Sequence, residues 1–146
     1  AVAWTTTPWT LPANVALAVH RDYTYVTVAR RRGAGGPVMA RYLVAQGLAA
    51  SLCESLARGG GGASGDAAGH WTVEADWAAT GQQLEGVAFD KPLAESSDVG
   101  EQPLQVAYVL CGRHVRDDAG TGIVHTAPGH GHDDFAAVGE WNASRA

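Results

Sequence analysis

The sequence is short of lysine, cysteine and methionine, and it contains no long apolar run. One Lys and nine Arg face fifteen acidic residues, which leaves a net charge of −5 at pH 7. A chain of that sign cannot hold nucleic acid tightly through bulk charge, because non-specific affinity grows with the number of phosphates neutralised. Cys53 and Cys111 lie far apart and form no CxxC, which excludes a disulfide framework and a cysteine-based zinc site. No apolar stretch approaches the ~20 residues that span a bilayer, so no membrane partner is expected. The first residues carry no basic segment leading into an apolar core, so secretion is not expected. There is no initiating Met. The chain opens inside the apolar run Ala1 to Trp4 and is expected to be a piece of something larger. GxSxG, GxGxxG and GxxxxGK[ST] are all missing, which removes the nucleophile elbow, the dinucleotide fold and the phosphate loop.

What is present suits one domain. The 146 residues are 46% apolar and 17% charged, a globular balance with enough length to bury a core. Ala1 to Thr7 reads as a strand ending at Pro8, and Trp9 to Asn14 as a rigid loop. Val15, Leu17 and Val19 alternate with small residues as a strand does, and the segment from Tyr23 to Ala29 is expected to pair with it as a hairpin. Leu43, Leu48, Leu52 and Leu56 recur at helical intervals and predict a helix over Met39 to Ala57. Residues 58–69 form a Gly/Ala/Ser run expected to be a flexible surface loop. Further strands are expected at 71–75, 87–89, 104–110 and 121–126, with another considered at 114–115. A short helix is expected over Asp133 to Trp141. Strands that do not alternate with helices indicate a β-rich α+β domain.

Two segments carry chemistry. Trp4 to Asn14 places three consecutive hydroxyls, Thr5, Thr6 and Thr7, between two tryptophans, with Pro8 and Pro12 fixing the exit. A single Thr there would be an ordinary strand former; three between fixed aromatics indicate a site. In Gly120 to Phe135, a strand delivers His125 to its end, a Pro128-Gly129 turn follows, and Asp133 and Asp134 open a helix. One of the two carboxylates, Asp133, is expected to cap the helix. That leaves Asp134 free for a cation. His130, His132, Asp133 and Asp134 approach the HxHxDH pattern of metallo-β-lactamase-like hydrolases, but Phe135 stands where that pattern needs His. No metal and no other cofactor is therefore expected.

At these segments the chain resembles the editing (connective peptide) domain of the isoleucyl-tRNA synthetases. The family's Thr-rich peptide matches Trp4 to Asn14 without a break, and its GTGxVHTAPGHGxDD peptide matches Gly120 to Asp134. A weaker third match runs through Gly81, Leu84, Glu85, Gly86, Phe89 and Pro92. Valyl and leucyl relatives carry a TTRP-type peptide, so Thr7 and Trp9 around Pro8 point to the isoleucine enzymes. The Gly-rich run and the tail after Phe135 depart from the family. The HIGH-type and KMSKS-type peptides of amino-acid activation do not occur.

The resemblance implies a closed, distorted β-barrel core with peripheral helices, forming one editing domain over residues 1–146. It implies hydrolysis of valine mischarged onto isoleucine tRNA by a positioned water. Thr5, Thr6 and Thr7 would line the pocket for the aminoacylated 3′ adenosine. Thr7 and Asn14 match positions tied to editing, and His125 matches the residue that sets side-chain exclusion. Asp134 matches the carboxylate that holds the substrate's α-ammonium, while Trp4 and Trp9 resemble flanking contacts to the pocket and terminal adenosine. The partners would be the aminoacylated 3′ end of isoleucine tRNA and the remainder of the synthetase, for a monomer in the cytoplasm or an organelle. Two other readings stand beside it: a binding module for the same tRNA end that does not hydrolyse, and, ranked last, a metal-dependent hydrolase.

Overall fold

The computed structural model describes residues 1–59, 69–91 and 106–145. The expected flexible loop at 58–69, apart from its ends, and Pro92 of the third match lie outside the described residues. The chain runs through a 3-10 helix (Pro8–Ala13), β1 (Ala16–Val19), β2 (Thr24–Arg31), β3 (Val38–Ala45), α1 (Gln46–Gly59) and β4 (His70–Thr80). It continues through α2 (Gly81–Leu84), β5 (Ala88–Asp90), β6 (Val106–Cys111), β7 (Ile123–Thr126) and α3 (His132–Ala143). The β-rich α+β class holds. The strands form a four-stranded sheet in the order β5-β6-β1-β7 and a three-stranded sheet in the order β3-β2-β4.

Four expectations change. The helix predicted from Met39 begins at Gln46, because residues 38–45 pair with β2 from Arg31↔Val38 to Tyr25↔Ala45. Gly33 and Gly35, both with φ near +75°, close that hairpin. Cross-strand pairing outweighs helical spacing here: Leu43 falls in the strand, and Leu48, Leu52 and Leu56 form the helix. The hairpin expected between β1 and β2 does not form. Tyr25 buries its hydroxyl against the His20 N–H at 2.8 Å, and the turn at 20–22 sends the chain into the second sheet. β1 pairs instead with β6 in parallel and β7 in antiparallel. Residues 1–7 make only an isolated bridge, Trp4 to Val124, and His114 lies in a turn rather than a strand.

β1 is covered on both faces. Ala16 and Ala18 are buried on one, Val19 is buried and Leu17 half-buried on the other, and Val15, just before the strand, is exposed. The two alanines sit in a small core with Leu110, Val115 and Ala137, so their size lets the 112–115 turn and α3 pack close to the sheet. The larger core joins Val19, Tyr25, Val28, Val44 and Ile123 with Leu48 of α1.

The two sheets meet at Gly120-Thr121-Gly122. The Ala45 N–H donates to the Thr121 carbonyl at 2.9 Å, and the Tyr25 hydroxyl donates to the Gly122 carbonyl at 2.9 Å. Gly122 has φ +70°, and a Cβ there would collide with the Ala45 Cβ. The N-terminal segment seams the junction: the Val2 N–H reaches the Leu43 carbonyl and the Trp4 N–H the Ile123 carbonyl.

Candidate active site

The segment expected to be a loop after Thr7 is a 3-10 helix with Pro8 at its start. Proline fits there because its missing N–H would have had no partner in the first turn. This tight helix turns Thr10 and Asn14 inward, where they are 4% and 2% exposed. β7 brings His125, also buried, to meet them.

One hydrogen-bonded run results. The Asn14 Nδ2 amide donates to the Ala16 carbonyl at 2.9 Å and lies 2.6 Å from His125 Nδ1. His125 Nε2 lies 3.0 Å from Thr10 Oγ1, and the Thr10 hydroxyl donates to the Thr7 carbonyl at 2.8 Å. Thr7 Oγ1 is 3.4 Å from Thr10 Oγ1 and 3.3 Å from Thr5 Oγ1. The donors fix the tautomer. Because Ala16 offers only a carbonyl, Asn14 must present NH2 to the ring, so Nδ1 is the bare nitrogen and Nε2 carries the proton. Burial holds the His125 pKa below its ordinary value, with the Asp134 charge and the Thr10 contact opposing. The imidazole is neutral at pH 7. Both its nitrogens are engaged, so it has no lone pair free to take a proton. Asn14 Oδ1 is buried with no hydrogen-bond partner.

Asp134 departs from the expectation. Asp133 is exposed and does not cap α3, whose N-cap is Gly131 with no side-chain bond. Asp134 closes the preceding turn instead: its Oδ2 accepts the Ala127 N–H at 2.8 Å. The carboxylate is therefore half committed, with Oδ1 remaining for a cation.

The structure brings Thr5, Thr7, Asn14 and His125 together, with Asp134 near enough to influence His125. Thr6 is exposed, and Trp4 and Trp9 project outward at 63% and 74% exposure. Thr10 was missed by the sequence reading. Its only signal was a place three residues beyond Thr7, one turn of a 3-10 helix. A cavity of about 390 Å³ adjoins the run, lined by Asn14, His125, Leu11, Leu17, Phe89 and Asp90 together with Ala1 and Ala3, and by none of Thr5, Thr6, Thr7 or Asp134. A larger cavity, about 610 Å³, opens at the far end of β1 between His20, Cys111 and Trp141, away from this chemistry. Among the described residues, no three His, Cys, Asp or Glu side chains converge as metal ligands do. No helix among them is long and apolar enough to cross a membrane.

No family model matches the chain. Curated relatives do. The isoleucine–tRNA ligase of Geobacillus kaustophilus is 45% identical over 134 residues, covering 92% of this chain and 12% of the ligase. That of Geobacillus thermodenitrificans is 43% identical over the same shares, and that of Nitrosomonas europaea 36% identical over 92% of this chain and 11% of its own length. The chain thus spans a small fraction of the relatives it matches. Its fold is similar to the crystal structure of GlLeuRS-CP1, connective peptide 1 of a leucyl-tRNA synthetase, with a TM-score of 0.62 at 19% identity over 92% of this chain and 41% of that one. The chain belongs to the isoleucine–tRNA ligase family, as a segment with the connective-peptide fold.

Proposed function

We propose that this chain is the post-transfer editing domain of an isoleucine–tRNA ligase and hydrolyses the ester that joins valine to isoleucine tRNA. The observation that carries the reading is the hydroxyl, imidazole and amide run from Thr5 through Thr7, Thr10 and His125 to Asn14, with the Asp134 carboxylate beside it. Such a site answers a physical need. A pocket built for isoleucine cannot strongly reject valine, since one missing methylene is worth only ~1–3 kcal/mol, a limit for which this pair of amino acids is the standard example. A second site must admit the smaller side chain, exclude the larger, and cleave.

The residues divide that work. Asp134 holds the α-ammonium through Oδ1, and the Thr5–Thr7 hydroxyls receive the terminal ribose and ester. Neutral His125, locked by Asn14 and Thr10, is a rigid wall against the longer side chain. Trp4 and Trp9 offer exposed ring faces to the terminal adenosine. The nucleophile is a positioned water. It adds to the ester carbonyl, the C–O bond to the ribose breaks, and one water proton ends on the ribose oxygen.

The two sheets would be halves of one distorted, closed barrel, since the 2–4 segment bonds both β3 and β7. The remainder of the synthetase would bind the tRNA body, because a chain of net charge −5 supplies little of the phosphate affinity. The compartment would be that of the tRNA, cytoplasmic or organellar. The test is deacylation of Val-tRNA(Ile) by the purified chain against Ile-tRNA(Ile). Faster release of valine is expected. Equal rates would overturn the reading, and binding without release would make the chain a non-hydrolysing module.

A further inference from the structure

The ring of His114 is nearly enclosed, and its Nε2 is buried with no hydrogen-bond partner. That nitrogen lies 3.7 Å from Asp134 Oδ1, and both side chains are 18% exposed. A bare donor in such a place is costly unless a partner comes within reach. Asp134 Oδ1 is the carboxylate oxygen that the Ala127 N–H does not use. The fold makes room for both groups. A Cβ on Gly112 would lie 2.7 Å from His114 Cε1 and 3.0 Å from its Nδ1, and one on Gly131 would press on the Asp134 carboxylate at 3.2 Å. Ala18 stands behind Gly112, so a glycine and a small residue together open the space the imidazole occupies.

We propose that His114 is a positioning residue for Asp134. Its Nε2–H donates to Oδ1 once the two close from 3.7 Å by about 0.5–1 Å. The carboxylate is then gripped from two sides, by the Ala127 N–H on Oδ2 and by His114 on Oδ1, and its plane cannot rotate. The remaining lone pairs of both oxygens face a substrate cation at a set angle. This rests on the editing reading insofar as the cation is an α-ammonium. The clamp itself is a property of the two side chains.

Two measurements test it with the whole chain. In Val-tRNA(Ile) deacylation, His114→Phe keeps the ring shape and loses the donor. It should raise KM about tenfold, the effect of one hydrogen bond to a charged group, with kcat within about twofold. His114→Gln, which retains an N–H, should recover most of the loss. On an Asp134→Ala background, His114→Phe should change nothing further, whereas a merely structural role would add its full effect. An unchanged KM in His114→Phe, or the same increase on both backgrounds, would overturn the proposal. The second measurement is independent of editing. The His114 Nε2–H is followed by NMR in the parent and in Asp134→Ala, and its proton should be protected from solvent exchange only while the carboxylate is present. Equal exchange in both would refute the clamp even in a chain that cleaves. Protection lost with the carboxylate, in a chain that cleaves nothing, would uphold the clamp and refute editing.

Discussion

Replacing Thr10 by valine isolates the hydrogen bond at the centre of the site. Valine has nearly the shape of threonine, so packing is kept while the hydroxyl is lost. The Thr7 carbonyl still has the Thr10 backbone N–H at 3.0 Å and is not orphaned. The His125 Nε2–H, 3.0 Å from Thr10 Oγ1, is left buried with no acceptor. An unsatisfied buried donor costs ~1–3 kcal/mol, so a loss of about 2 kcal/mol is expected. For a chain of this size that lowers the thermal midpoint by roughly 4–8 °C. Thr10→Ser keeps the hydroxyl and removes one methyl, at about 1 kcal/mol. The order of the two variants is decisive, because packing alone predicts the reverse: valine conserves volume and serine leaves a void. Urea and thermal unfolding of both variants provide the assay. Thr10→Val as stable as Thr10→Ser, or more so, would refute the assigned network and the tautomer with it.

Other outcomes follow from the same geometry. Asp134→Asn keeps an oxygen for the Ala127 N–H and removes the charge, so it should raise the KM for valyl and isoleucyl esters alike with little change in unfolding midpoint; valyl-ester cleavage at the parent KM would remove Asp134 from its role. Because burial depresses the folded His125 pKa, the unfolded chain takes up its proton first. Stability from this group is complete above about pH 6.5 and is lost as pH falls toward the lower folded value. Urea midpoints at two pH values should therefore differ less in His125→Gln than in the parent, and an equal difference would count against the effect. Gly122→Ala combines a left-handed backbone with a collision at Ala45 and should cost about 3 kcal/mol, whereas Gly129→Ala, with open space around it, should be near neutral in thermal unfolding. Chelators should leave deacylation unchanged; loss with recovery on added zinc would favour a metal-dependent hydrolase.

The Thr-rich peptide and the Gly120–Asp134 peptide identified the family and pointed to the candidate site, because a hydroxyl triplet between tryptophans and a strand-delivered histidine are local patterns. Composition and spacing likewise indicated a β-rich α+β chain without a phosphate loop or a disulfide framework. Partnership was not local. Whether residues 38–45 are helix or strand depends on β2, seven to twenty residues away in the chain, and the leucine spacing carries no trace of that partner. Alternation marked β1 as a strand but not that both its faces are covered, where Ala16 and Ala18 are small enough to admit a turn nearly a hundred residues on. Asp134 read as a free carboxylate until the fold bent Ala127 back onto it. Thr10 looked like one more threonine until a single 3-10 turn set it against His125. Residue type and local order are written along the chain, whereas the protonation state of an imidazole and the freedom of a carboxylate depend on neighbours that only the tertiary structure supplies.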